Sequence, residues 1–96
     1  MSTLNQLKKI LKKHKPELIK KYNIRQIGVF GSYARGEEKQ SSDLDIMVDF
    51  EKPIGLDFVT LAEELESVLS LKVDLVSVNA IKPRMMESIK EELIYV

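Results

Sequence analysis

The run Ser42-Asp43-Leu44-Asp45-Ile46-Met47-Val48-Asp49-Phe50 constrains this chain more than any other segment. Leu44, Ile46, Val48 and Phe50 alternate with Asp43, Asp45, Met47 and Asp49, and a period of two makes a half-buried strand. The apolar set must face the core, so Asp43 and Asp45 leave the opposite face together at the strand's beginning, beside a loop. Two such anions repel unless a cation stands between them. Mg²⁺ suits that place, because it prefers oxygen ligands and is commonly held by one or two carboxylates plus substrate phosphates. A pair of this kind can hold two metals roughly 3.5–4 Å apart and clamp the attacking and leaving oxygens of a displacement. Alone, Ser42-Asp43 also fits an ordinary turn or cap, so the reading needs support elsewhere in the chain.

Gly31-Ser32 supplies it. These residues follow the apolar run Ile27-Gly28-Val29-Phe30 and open a short helical turn through Ala34 that closes near Gly36. Glycine lets the backbone approach a ligand closely, and the turn offers free N–H groups and a hydroxyl, a setting for the outer phosphates of a nucleotide. A third element is Asp74, in Lys72-Val73-Asp74-Leu75-Val76. A carboxylate in a valine-rich strand is rarely buried without a partner or a metal. On a strand next to Asp43, it completes a three-carboxylate cluster able to ligate a metal and take a proton from an attacking hydroxyl. The other reading of Asp74 is an exposed residue on an edge strand.

The remaining pattern frames these residues. Leu4, Leu7, Ile10, Leu11, Leu18 and Ile19 recur at helical spacing over residues 3–22, with Ser2 or Thr3 as cap. Pro16 predicts a break, with a helix to about residue 14 and a second segment that has Pro16 in its first turn. Phe58, Leu61, Ala62, Leu65, Val68 and Leu69 mark another amphipathic helix, Lys72 to Val78 a third strand, and Met86, Ile89 and Leu93 a last helix. Asn79 or a neighbour is the expected cap of that helix, with Pro83 early in it. The order helix, strand, strand, helix, strand, helix predicts an α/β (α+β) fold, a small mixed β-sheet packed by helices, with the two Asp-bearing strands adjacent.

At 96 residues the chain is expected to form one domain over 1–96. It has no cysteine, which excludes thiol nucleophiles and thiolate metal sites and fits a reducing, cytoplasmic setting. No stretch reaches the ~20 apolar residues of a membrane span, so no membrane partner is expected. Fifteen basic and fifteen acidic residues cancel, but the lysines crowd the first 25 positions and acids dominate 49–74. The basic helix is a solvated face or a docking face for a protein or nucleic acid. His14 and the pair Met85 and Met86 read as surface and packing residues.

As a set, Gly31-Ser32-Tyr33-Ala34-Arg35-Gly36, Ser42-Asp43-Leu44-Asp45 and the later strand residue Asp74 resemble the minimal nucleotidyltransferases of the DNA polymerase β superfamily. The likeness spans about residues 4–94. It implies a polymerase-β-like nucleotidyltransferase core that takes ATP as substrate and uses Mg²⁺, two ions in number. It implies that Asp43 and Asp45 bind the metals, and that Asp74 binds the catalytic one and favours deprotonation of the acceptor. Gly31 and Ser32 would hold the β and γ phosphates. Arg35 would contact phosphate or only fix the turn, and Tyr33 would pack.

Many family members are antitoxins that transfer AMP from ATP to a tyrosine of a HEPN-domain RNase toxin, so a HEPN toxin is the partner the resemblance implies. Two alternatives stay open: an antitoxin that acts by binding alone, and an enzyme that modifies a small-molecule hydroxyl. Zero net charge argues against extension of a nucleic acid, although the lysine-rich helix is a feature of that reading.

Overall fold

The computed structural model describes residues 3–96. Helix α1 runs Leu4–Tyr22 and is opened by Thr3, whose side chain accepts from the Gln6 N–H while the Gln6 side chain accepts from the Thr3 N–H. That reciprocal box satisfies two of the donors that every helix start leaves free. Ser2, the other cap read from sequence, lies outside the described residues. The break expected at Pro16 does not occur, and α1 is continuous through it. Pro16 is exposed, so the carbonyl it deprives of a partner can turn to water, while Leu7, Leu11, Leu18 and Tyr22 bury one face on both sides of it. Tertiary burial outweighs the local cost of about 3 kcal/mol.

Asn23 ends α1 in the left-handed region and leads into β1, Ile24–Phe30. The one-turn helix α2, Ser32–Arg35, precedes β2, Leu44–Phe50, and α3, Asp57–Leu69. Then come β3, Val73–Ser77, a 3-10 turn over Val78–Ala80, α4, Pro83–Glu92, and the two-residue β4, Ile94–Tyr95. Lys82, not Asn79, stands at the start of α4, and no side chain caps it. Asn79 lies in the 3-10 turn instead. Pro83 in the first turn leaves one free donor fewer there.

The sheet order is β3-β2-β1-β4. β1 pairs antiparallel with β2 and with β4, and β2 pairs parallel with β3 across α3. One face carries Ile27, Val29, Leu44, Ile46 and Val48, and all are buried with Leu7, Leu11 and Leu18 of α1 and Leu61, Leu65 and Leu69 of α3. Lys21 and the Tyr22 hydroxyl both reach Glu64 at 2.8 Å, so the basic helix and the acidic helix neutralise one another locally. The Lys21 ammonium holds the Glu64 carboxyl below its usual range. Met47 and Ile89 are buried as well. Gly28 pairs with Met47 and with Tyr95, and the Leu93 side chain occupies the space that a Cβ on Gly28 would take. The chain from α4 into β4 therefore covers part of the second face.

Candidate functional site

The register of the sheet brings three strands level at one end. Phe30, the last residue of β1, pairs with Asp45 near the start of β2, and Asp45 pairs with Asp74 near the start of β3. Gly31 follows at once, with φ 76° and ψ −154°. That conformation suits glycine alone. It also places Gly31 against Asp45: a Cβ built on Gly31 would overlap the Asp45 Oδ2 and stand 2.9 Å from its Cγ. The turn that follows is tied by Arg35 N–H to Gly31 O at 3.1 Å and Glu37 N–H to Ser32 O at 2.9 Å. Gly36 closes it in the left-handed region. Tyr33 is buried in the main core and anchors the turn, while Ser32 is half-buried.

Asp45 is half-buried beside other acids. Burial, the charge of Asp74, a hydrogen bond with Asp74 and the charges of Asp43 and Glu92 push its carboxyl from 3.8 up to about 6. A carboxylate raised by a like-charged neighbour is typical of sites that receive a cation or move a proton. Asp74 is exposed on the edge strand, and Asp43 is exposed just before β2. The structure thus joins Asp45 to Asp74 directly and sets Asp43 nearby, where its charge is felt. Among the described residues, no three His, Asp or Glu side chains converge as a ready-made metal cage. The donors present are all carboxylate oxygens, and their mutual repulsion is what a hard cation such as Mg²⁺ relieves.

One residue of the site left no trace in the sequence pattern. Glu92, at the end of α4, accepts from the Gly31 N–H at 2.9 Å through Oε1 and from Arg35 Nη1 at 2.7 Å through Oε2. Arg35 also reaches Glu37 at 3.3 Å. The Arg35 guanidinium is thus paired with two acids. Its hydrogen bond holds the Glu92 carboxyl below the ordinary range despite partial burial. Between Asp45 and α4 lies a groove of about 490 Å³, walled by Phe30 and Gly31 on one side and Arg84, Met85 and Ser88 on the other. A second cavity, of about 280 Å³, opens at the far end of β2 around Phe50, Ile54 and Phe58, away from the paired aspartates.

Residues 5–96 match the family described as Polymerase beta, Nucleotidyltransferase. The chain belongs to this family. This nucleotidyltransferase is 47% identical over 97 residues to the protein adenylyltransferase MntA of Thermococcus cleftensis, and the match covers all of this chain and 98% of the relative. A solved structure assigned to the minimal nucleotidyltransferases superposes with a TM-score of 0.76 at 35% identity, over 92% of this chain and 93% of that one. A mutant of the toxin–antitoxin pair MntA-HpeT superposes with a TM-score of 0.68 at 26% identity, over all of this chain and 72% of that one. The nucleotidyltransferase therefore sits in the minimal, MntA-like branch. Among its described residues, no helix is long and apolar enough to cross a membrane.

Proposed function

We propose that residues 1–96 act as one catalytic domain that transfers AMP from ATP to a hydroxyl, and that the acceptor is a tyrosine of a HEPN-domain RNase toxin which this chain neutralises. The observation that carries the reading is the seating of Gly31, at the head of the Gly31-Ser32 turn, directly on Asp45, which is paired in register with Asp74. Phosphate donors and metal-type acceptors then act on one substrate. The names of the relatives support the protein acceptor and the antitoxin role.

In this reading the Ser32 hydroxyl and the free N–H groups of the turn hold the outer phosphates. Asp43, Asp45 and Asp74 would hold Mg²⁺. When bound, that ion neutralises phosphate charge and lowers the repulsion among the three carboxylates. Asp74, exposed and level with Asp45, accepts the proton of the acceptor hydroxyl. The acceptor oxygen forms a bond to the α-phosphorus, the bond from that phosphorus to the bridging oxygen breaks, and pyrophosphate leaves with the electron pair. Positioning and charge stabilisation provide most of the acceleration in such displacements.

The test is the intact mass of the partner toxin after incubation with ATP and Mg²⁺. Added AMP masses are expected with the native chain and none with Asp43→Asn/Asp45→Asn. Neutralisation of the toxin by that variant, with no added mass in either case, would instead mark an antitoxin that works by contact alone.

A further inference from the structure

Glu92 grips both ends of a single-turn helix. One of its oxygens takes the Gly31 N–H at the head of α2, and the other takes Arg35 at its last residue. These partners lie 61 and 57 residues earlier in the chain, so the contact is wholly tertiary. A helix of four residues has too few internal hydrogen bonds to hold its own shape. Its geometry must be imposed from outside. Tyr33 in the core does this from below, and Glu92 does it from the open side.

The position of Glu92 is itself built in. The next residue, Leu93, fills the space above Gly28, and Ile94 pairs with Val29. Glu92 is thereby held over the end of the same strand that delivers Gly31. Each of its oxygens has its own donor, and charge-assisted bonds of this kind are stronger than neutral ones. The bond takes up the Gly31 N–H, the donor of the turn that immediately precedes Ser32.

We infer that Glu92 is a positioning residue for nucleotidyl transfer: it clamps Gly31 and Arg35 so that the turn stays seated on Asp45 with Ser32 presented to the phosphates. The inference rests on the nucleotidyltransfer reading of this site. It assigns Arg35 to the clamp instead of to the phosphates, because its guanidinium is already committed to Glu92 and Glu37. A carboxylate at this place has one other conceivable effect, which is competition with the incoming phosphate for the Gly31 N–H. The two effects have opposite signs.

The full chain with Glu92→Ala, Glu92→Gln and Arg35→Ala separates them, using amide hydrogen exchange of the Gly31 N–H and calorimetric binding of ATP with Mg²⁺. Glu92→Ala is expected to speed Gly31 exchange and to raise the Kd for ATP, each by about tenfold. Glu92→Gln keeps an acceptor for Gly31 and should restore exchange and Kd to within about threefold of native. Arg35→Ala is exposed and safe to fold, and should weaken ATP binding less than Glu92→Ala does. Unchanged Gly31 exchange in Glu92→Ala, or ATP binding as tight as native or tighter, overturns the inference. Should Glu92→Ala not fold, a Glu92→Gln chain with native exchange beside an Arg35→Ala chain with looser exchange supports the clamp, and native values in both overturn it. A native chain that binds no ATP overturns the nucleotidyltransfer reading as well, whereas equal binding in native and variant chains overturns the clamp alone.

Discussion

Gly31 has no room for a side chain because the carboxyl of Asp45 fills the space where its Cβ would be. The contact is enforced twice, once by the positive φ at Gly31 and once by the pairing of Phe30 with Asp45. Gly31→Ala therefore meets both backbone strain and overlap with the acid. It is expected to lower stability by about 1–3 kcal/mol and to abolish measurable ATP binding. Denaturant unfolding and calorimetry check it. Native stability and native binding in this variant would show that the turn shifts freely away from Asp45.

The raised carboxyl of Asp45 sets a pH dependence for the metal-free chain. Unfolded, this group ionises near 3.8, and folded, it ionises near 6. The folded state holds the proton more tightly, so between those values it carries more bound protons than the unfolded state, and stability falls as pH rises. The favourable contribution is complete below 3.8 and lost as pH passes through about 6. Solvent reaches much of the group, so the effect is modest. Asp45→Asn is expected to melt above the native chain near neutral pH and close to it near pH 4, as read by thermal unfolding in chelator. A difference in melting that stays constant across this window would contradict the assignment.

Divalent metal should reverse that penalty. With Mg²⁺ at about ten times its Kd, a site present only in the fold adds about 1.4 kcal/mol of stability. The native chain is expected to melt at a higher temperature on adding Mg²⁺ near neutral pH, and to return on chelation. Asp43→Asn/Asp45→Asn should show neither change. Equal responses of the two chains would mean that the metal acts elsewhere.

Gly28 tests the support beneath α4. A Cβ there would stand 2.5 Å from the Leu93 Cδ1, so Gly28→Val forces Leu93 off the sheet and drags β4 with it. The expected cost is about 1–3 kcal/mol, with faster exchange of the Val96 N–H that now bonds Ile27 O at 3.0 Å. Thermal unfolding and amide exchange report on this variant. A fully native melting temperature and native Val96 exchange would show that the seat of Leu93 is not needed.

Much of the architecture was legible because its signals are local and periodic. The alternation over Leu44–Phe50 marks β2 and its buried face, the spacing of Leu61, Leu65 and Leu69 marks α3, and Gly31 and Gly36 bracket a turn that needs them. Pro16 misled, because its local cost is legible in the chain and the burial that overrides it is not. Strand β4 was missed because two residues carry no period, and they become a strand only when β1 offers an open edge.

The candidate site divides along the same line. Residue types and short spacings were set by the chain alone: two acids two positions apart at the start of a strand, a glycine-serine turn after another, and a third acid in a later strand. How those pieces meet was decided by tertiary structure. Pairing in register aligned Asp45 with Asp74 and with Phe30, and left Asp43 outside the ladder. Packing of α4 brought Glu92 to Gly31 and Arg35. A hydrogen bond between residues 61 positions apart has no periodic signature, since it depends on the path of every element between them.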